Sequence, residues 1–382
     1  MSRRIQLLML VAALLLAACG DGGLLAESPP LAPTQAETAS TVVASPAVVQ
    51  SEATATNTAL PPTPTPVASA TTVPPSPTPI PVATQTPTPD PYAGLTIADL
   101  AAREYGEGSL QVLETIHVTD AFTRTLVSYP SEGFTVSGFL NVPFGQGPFP
   151  VALVLHGYIP PENYGTIGYT TRYADWLARA GYVVFHPNYR SHPPLESEAA
   201  LVEASEGPEF RVDYAVDVMN LMAIIERMAG QPGPLAQADA QQMHLLGHSM
   251  GGGIALRIST VQPDVDAIAL YGSMSGDERQ NYERVMMWSD GESGAEELAT
   301  PQEDLQRISP IYHLERIQAA VTIHHGELDD TVPPEWSTDL CERLQALNKT
   351  VECYRYPDQP HTFRDAGDQL FIGRVIDFFN RH

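Results

Sequence analysis

From Phe122 to the C-terminus, short apolar runs alternate with longer stretches of helical spacing, and this alternation strongly constrains the fold. The run 150–155 is continuous and apolar, as in a strand buried on both faces of a sheet. The stretch 210–228 instead repeats its apolar residues at roughly the spacing of a helix. Alternation of this kind predicts an α/β fold, with a mostly parallel sheet and helices on both faces. The predicted strands are 122–129, 134–142, 150–155, 182–185, 243–246, 267–271, 321–324 and 351–356, and the predicted helices are 173–180, 210–228, one starting near Ser249, 335–347 and 369–379.

Three segments depart from this rhythm. The first two predicted strands alternate in polarity and are joined at residues 130–133, which predicts a leading antiparallel hairpin. Residues 92–121 are too few for a domain, and we predict a helical preamble packed on the main domain, 122–382. Residues 273–310 predict a small insertion, either a cap that lines a pocket or a helical insert whose methionine and aromatic side chains serve packing.

The first 91 residues have a different composition. Residues 27–91 contain 16 of the 35 prolines and 14 threonines, with no aromatic residue. Such a segment cannot bury enough apolar surface to offset its chain entropy, so we expect no folded core in it. Proline–threonine repeats favour polyproline II, and residues 19–91 are therefore predicted to be a disordered tether.

The N-terminus has the layout of an export signal. Arg3 and Arg4 precede the apolar run 5–18, which is shorter than the roughly 20 residues of a membrane-spanning helix. The run ends at Ala18, directly before Cys19, and this junction resembles the lipobox of bacterial lipoproteins. That resemblance implies cleavage after residue 18, acylation of Cys19 and a lipid anchor in the bacterial cell membrane. The alternative is an ordinary signal peptide with an incidental cysteine.

The charge excludes one class of partner. The chain has a formal net charge of −25 among its 382 residues, with 45 acidic and 20 basic side chains. Nucleic-acid binding depends on basic patches that displace counterions, so we predict no nucleic-acid partner. No His-Glu-x-x-His or paired-cysteine motif is found either, and we predict no metal and no cofactor.

A candidate nucleophile lies between a predicted strand and a predicted helix. The motif Gly247-His248-Ser249-Met250-Gly251 follows the strand 243–246. A turn this tight leaves no room for side chains two positions either side of the serine, which explains both glycines. The helix N-terminus that follows favours negative charge developing near Ser249.

A serine hydroxyl needs a base to become a nucleophile, and the base needs a carboxylate to orient it. Asp329 follows the strand 321–324 and is our candidate carboxylate, with Asp330 as the reserve and Glu327 the weaker choice. His361 follows the last strand and is the only histidine between Asp329 and the terminal His382. We therefore predict His361 as the base.

An oxyanion hole needs two N–H donors aimed at the developing charge. Met250, directly after the candidate nucleophile, is predicted to supply one from its backbone. The loop after the strand 150–155 should supply the other, and we predict the backbone N–H of Tyr158. Four other histidines are predicted to serve the structure only: His156, His248, His324 and His325.

Together these residues resemble the α/β-hydrolase superfamily, above all the catalytic domain of the prolyl oligopeptidase family and its dienelactone-hydrolase-like relatives. The resemblance implies an α/β-hydrolase fold and a triad of Ser249, Asp329 and His361. Peptidases of this family usually carry a β-propeller before the catalytic domain, whereas only about 30 residues separate the tether from it here, so peptide specificity transfers less securely. Other stretches that support the resemblance are 131–133, 148–150, 187–190 and 309–312.

The leading hypothesis is an exported, lipid-anchored serine hydrolase that cleaves a peptide or a small-molecule ester through an acyl-enzyme intermediate. One alternative is a carboxylesterase or lipase-like enzyme for small esters. The other is a non-catalytic surface binding protein that retains the hydrolase fold. Export also permits a disulfide between Cys341 and Cys353, the alternative being two buried thiols.

Overall fold

The computed structural model describes residues 90–160, 163–190, 192 and 210–382. The predicted signal peptide, Cys19 and the predicted tether up to residue 89 lie outside the described residues. None of the helices found in the described part of the chain is long and apolar enough to cross a membrane.

A nine-stranded sheet forms the centre of the described residues, in the order β1-β2-β3-β5-β4-β6-β7-β8-β9. The first three strands are antiparallel neighbours, β5 is antiparallel to β3, and all other neighbouring pairs are parallel. The bounds are Gln111–Val118 for β1, Phe122–Ser131 for β2, Phe134–Pro143 for β3, Phe149–Leu155 for β4, Val183–Pro187 for β5, Ala238–His248 for β6, Ala267–Tyr271 for β7, Ala320–Gly326 for β8 and Val351–Tyr356 for β9.

Helices cover both faces of this sheet, as the sequence predicts. One core layer contains apolar side chains of α1, α3, α4 and α8, and the other contains those of α2 and α9. The fold is therefore an α/β-hydrolase fold with a leading antiparallel portion. The helices in the described residues are α1 (Ile97–Ala101), α2 (Thr171–Arg179), α3 (Val212–Met228), α4 (Met250–Val261), α5 (Glu278–Trp288), α6 (Ala295–Leu298), α7 (Gln302–Ile308), α8 (Pro334–Ala346) and α9 (Asp365–Phe379), with 3-10 turns at Pro310–Tyr312 and Leu314–Arg316.

The segment 92–121 differs from its prediction as a helical preamble. Only the short helix α1 is helical, with the Thr96 side chain accepting a hydrogen bond from the Asp99 backbone at 3.1 Å. The strand β1 occupies most of the remainder and pairs with β2. β-branched residues favour this strand, but it lies at the edge of the sheet and is mostly exposed, so its sequence lacks a clear apolar pattern.

The insertion 273–310 contains three helices, α5 to α7, and serves packing at several positions. Tyr282 and Leu305 are buried in the core, and the Arg257 guanidinium donates to the Ile308 carbonyl at 2.7 Å while pairing with Glu278. Met274 is also buried, but it lines a cleft together with Met250. The insertion thus serves packing, and Met274 near its start also lines a small cleft.

The two late cysteines are joined in the structure. Cys341, on α8, forms a disulfide with Cys353, on β9. The bond connects a helix to the outermost parallel strand of the sheet.

Candidate active site

Ser249 lies at the sharp turn between β6 and α4. Its backbone has φ 55° and ψ −119°, a conformation that L-residues rarely adopt and that costs roughly 1–3 kcal/mol. Neighbouring backbone groups hold it there: the Ser249 N–H donates to the Tyr271 carbonyl at 2.9 Å, and the Ser249 carbonyl accepts from Met274 N–H at 3.0 Å. The turn places Ser249, which is half-buried, directly after the end of β6.

Gly247 and Gly251 are required because the surrounding backbone leaves no room for a side chain. A Cβ on Gly247 would lie 2.2 Å from the Gly251 carbonyl oxygen, and one on Gly251 would lie 2.2 Å from the Leu155 carbonyl oxygen. No side chain fits at either position without moving the backbone. The close approach lets α4 pack directly on β4 and β6.

The structure brings Asp329 and His361 together. His361 Nδ1 donates to Asp329 Oδ2 at 2.7 Å. The other carboxylate oxygen, Oδ1, accepts from the backbone N–H groups of Thr331 at 2.9 Å and Val332 at 2.8 Å. Both other candidate carboxylates, Asp330 and Glu327, are exposed. The geometry therefore favours Asp329, the leading candidate from the sequence.

A second imidazole also contacts this carboxylate. His325 Nε2 lies 3.0 Å from Asp329 Oδ2, and the Ser337 hydroxyl lies 2.6 Å from His325 Nδ1. Burial raises the pKa of Asp329, but the hydrogen bonds from His325 and His361 outweigh burial and hold the pKa well below its usual range. Asp329 is thus a fixed negative charge beside His361.

His248, the residue before Ser249, contacts His361 of the histidine–aspartate pair. The rings of His248 and His361 have their centroids 4.6 Å apart, and His248 Nε2 donates to the His361 carbonyl at 3.0 Å. The strands β6 and β8 end at the same edge of the sheet, and Ser249 and Asp329 follow them. The three predicted triad residues therefore lie at the same edge of the sheet.

The predicted oxyanion loop lies against the nucleophile. A Cβ built on Gly157 would lie 3.1 Å from the Ser249 Cβ, so the loop and the serine are in contact. The Gly157 N–H donates to the Tyr169 hydroxyl at 2.9 Å, and Tyr158 is the next residue along this loop. Met250 is the first residue of α4, where N–H groups have no partner within the helix.

Comparisons with known proteins give a family match for the C-terminal part of the chain. Residues 215–382, which include Ser249, Asp329 and His361, match the sequence model of the prolyl oligopeptidase family. The chain is 27% identical to the uncharacterized peptidase YtmA of Bacillus subtilis over 263 residues, covering 66% of this chain and 91% of that protein.

Two further proteins are similar to this chain, one in sequence and one in fold. The chain is 25% identical over 299 residues to dipeptidyl aminopeptidase BIII of Pseudoxanthomonas mexicana, covering 76% of this chain and 41% of that protein. Its fold resembles that of acetyl xylan esterase 1 from Thermoanaerobacterium, with a TM-score of 0.53 and 16% identity over 75% of this chain and 92% of that one. Peptidases and an esterase thus share this architecture.

Sequence reasoning did not predict the contacts that three residues make with the site. Tyr169 contacts the oxyanion loop and His248, and His325 contacts Asp329. Arg284, on the insertion helix α5, donates from Nε to the Thr331 carbonyl at 2.9 Å and also bonds the Asp330 carbonyl. Tyr169 and Arg284 have partners that are distant in the sequence, so no local pattern marks them. His325 lies only four positions before Asp329, but it was predicted to serve the structure only.

Two of the histidines predicted to be structural are buried and bonded away from the nucleophile. His156 lies under the oxyanion loop with Nε2 3.3 Å from the Asn188 carbonyl, and His324 Nδ1 lies 2.8 Å from the Tyr356 hydroxyl. His325 and His248 instead touch the candidate triad directly. In the part of the chain that the structure describes, no group of three or more metal-ligating side chains could hold a metal ion.

A small cleft opens beside Met250. Phe210, Arg211, Met274 and Glu278 are among its lining residues. The Arg211 guanidinium lies 5.9 Å from the centre of the Tyr158 ring. The cleft therefore places a positive charge beside both residues that were predicted to form the oxyanion hole.

Proposed function

We propose that this chain is a serine hydrolase that cleaves an ester or peptide bond through an acyl-enzyme intermediate. The observation that carries the proposal is the hydrogen bond between His361 Nδ1 and Asp329 Oδ2 beside the strained turn at Ser249. This is the arrangement that nucleophilic catalysis by a hydroxyl requires. Membership of the matched region in a peptidase family adds support.

In the first half of the reaction, Ser249 Oγ attacks the substrate carbonyl carbon and His361 Nε2 accepts the hydroxyl proton. Asp329 keeps the imidazole in the tautomer that leaves Nε2 free to accept, and it stabilises the imidazolium that forms. The backbone N–H groups of Met250 and Tyr158 stabilise the oxyanion. The intermediate then collapses, the bond to the alcohol or amine breaks, and His361 returns the proton to that leaving group.

The second half repeats these steps with water. A water molecule gives a proton to His361 and attacks the acyl carbon, forming a second oxyanion intermediate. Its collapse breaks the bond to Ser249, whose oxygen takes back the proton. Esters and amides pass through the same sequence of intermediates, so the proposal covers both bonds.

Labelling with a fluorophosphonate probe tests the nucleophile. We expect wild-type protein to be labelled and Ser249→Ala to lose all labelling. Ser259→Ala is the matched control, because Ser259 lies on α4 but is buried, with its hydroxyl donating to the Leu256 carbonyl at 2.8 Å. A wild-type protein that resists the probe would contradict the proposal and favour a non-catalytic binding protein, and equal labelling of Ser249→Ala would contradict the assignment of the nucleophile.

A substrate panel then assigns the bond. The panel compares short-chain nitrophenyl esters with proline-linked and alanine-linked chromogenic peptides. Cleavage of peptides would place the activity with the peptidases of the family. Ester turnover with no peptide cleavage would exclude the peptidase reading and support a carboxylesterase.

We further propose that the domain acts outside the cytoplasm, anchored by lipid on Cys19. The support is the charged and apolar start of the sequence, the Ala18–Cys19 junction and the proline-rich segment that follows. The Cys341–Cys353 disulfide is compatible with an oxidising compartment.

Metabolic labelling tests the anchor. Cells that express the full chain are grown with an alkyne-tagged fatty acid, and the protein is purified and scanned for the tag. We expect labelled wild-type protein, no label on Cys19→Ser, and full label on the Cys341→Ser/Cys353→Ser control. An unlabelled wild type, or a label that persists in Cys19→Ser, would contradict the anchor.

A further inference from the structure

Tyr169 connects three loops of the candidate active site. It lies in the loop before α2, and its hydroxyl accepts a hydrogen bond from the Gly157 N–H at 2.9 Å. The same hydroxyl lies 2.6 Å from His248 Nδ1. His248 in turn bonds the His361 carbonyl at 3.0 Å. We call this chain of contacts, from Gly157 through Tyr169 and His248 to His361, the Tyr169 bridge.

The proton positions in the bridge follow from its chemistry. The His361 carbonyl can only accept, so the proton of the His248 ring is on Nε2. Burial, reinforced by the neighbouring His361, holds the pKa of His248 well below its usual value, so the ring stays neutral and Nδ1 is an acceptor. The Tyr169 hydroxyl therefore donates to Nδ1 and keeps a lone pair for the Gly157 N–H. Every donor and acceptor is satisfied in one arrangement only.

Three members of the bridge adjoin or belong to a predicted reacting residue. Gly157, at one end, precedes Tyr158, the predicted oxyanion donor, and His248, within the bridge, precedes Ser249. The other end is the backbone of His361, the predicted base. The two contacts of His248 span 79 and 113 positions of sequence, so the bridge joins loops that the chain itself leaves independent.

We propose that Tyr169 is a positioning residue that holds the oxyanion loop and the His361 loop in place around Ser249. The proposal rests on the proposed hydrolase function. The Tyr169 hydroxyl is occupied by Gly157 and His248, so it acts through them and does not contact the substrate. Its loss leaves His248 without a donor at Nδ1 and Gly157 without an acceptor, which frees both loops to shift.

The test is Tyr169→Phe, which removes the hydroxyl and keeps the ring. Small displacements of reacting groups cost large factors in rate, and we expect kcat to fall about 10- to 100-fold with KM within about twofold of wild type. Tyr182→Phe is the matched control, because it also removes one tyrosine hydrogen bond, to Asn380 at 2.8 Å, but lies away from the site. The control should keep kcat within about twofold of wild type.

A second readout separates positioning from simple support of the fold. A trifluoromethyl ketone that carries the acyl group of the best substrate forms an oxyanion on Ser249, so its affinity reports the oxyanion hole. We expect Tyr169→Phe to weaken this inhibitor by the same factor as kcat/KM, while its thermal midpoint falls no further than that of Tyr182→Phe.

His248→Asn provides an independent variant should Tyr169→Phe fold poorly. It interrupts the same bridge, so it should lower kcat in the same range, and the double variant should be no slower than the slower single one. Turnover within about twofold of wild type in Tyr169→Phe, or equal losses in Tyr182→Phe, would overturn the positioning role alone. A wild type without hydrolytic activity would overturn the proposed function and the positioning role with it.

Discussion

Gly272 follows β7 and lies beside the histidine–aspartate pair. A Cβ at this position would lie 3.2 Å from His361 Nδ1 and 3.4 Å from Asp329 Oδ2. The residue also has φ +48°, in the region that favours glycine. A hydrogen atom in place of a side chain therefore leaves room for the short bond between His361 and Asp329.

We predict that Gly272→Ala impairs catalysis more than stability. The added methyl group displaces His361 by a few tenths of an ångström, and we expect kcat to fall about tenfold or more. Gly181→Ala is the matched control, because Gly181 has φ +94° with nothing within 4 Å of a built Cβ. Both variants bear the roughly 1–2 kcal/mol backbone cost of a left-handed alanine.

Steady-state kinetics and thermal unfolding of the two alanine variants test whether Gly272→Ala impairs catalysis more than stability. Similar losses of thermal midpoint with a rate loss confined to Gly272→Ala would support the steric role. Equal kinetics in both variants would show that the contact with His361 does not matter for turnover.

At the scale of elements, the strands at the centre of the sheet could be read from the sequence. β7 covers the predicted residues 267–271, and β4 begins one residue before its prediction. Both strands are covered by helices on each face, so their composition is continuously apolar. β1 was missed because an edge strand with exposed faces needs no such composition.

In the candidate site, local features could be predicted from the sequence, whereas contacts between distant segments could not. The Gly247–Gly251 turn and the order of Ser249, Asp329 and His361 are local features with a fixed place along an α/β fold, so the sequence could predict them. The contacts of Tyr169 and Arg284 depend on how separate loops meet above the sheet, whereas His325, on β8, contacts Asp329 only four positions later. Arg284 illustrates the point, since it lies on the insertion helix α5 but bonds the turn whose backbone holds Asp329.

At the scale of the whole molecule, the histidines are concentrated in the interior. Burial is the first cause of a lowered pKa for six of them, and it lowers the pKa of His186 and of His324 to about 3. An ordinary histidine in the unfolded chain has a pKa of about 6.5. The six residues are His156, His186, His192, His244, His248 and His324.

These lowered values make stability depend on pH with a definite sign. Below about pH 6.5 the unfolded chain binds protons that the folded chain does not, so the free energy of unfolding falls as the pH falls. The contribution is fully present above the unfolded pKa and is lost progressively toward the folded one. For His186 and for His324, this loss should be about 1 kcal/mol each between about pH 7 and about pH 5.5. Burial raises the pKa of Asp217 and of Glu278, and raised carboxyl pKa values act in the opposite direction.

Single variants therefore isolate the histidine contribution better than the wild-type curve. Urea unfolding at about pH 7 and about pH 5.5, in salt that screens the net charge, gives the pH-dependent loss for each protein. We expect His186→Asn to lose about 1 kcal/mol less than wild type over this interval, whatever its stability at neutral pH. His117→Asn, at an exposed position on β1, should lose as much as wild type. The His186 ring is buried and stacks on Phe139 at 4.7 Å, which is why its protonation should be coupled to unfolding. If His186→Asn and wild type lost the same free energy, the protonation of His186 would not be coupled to unfolding.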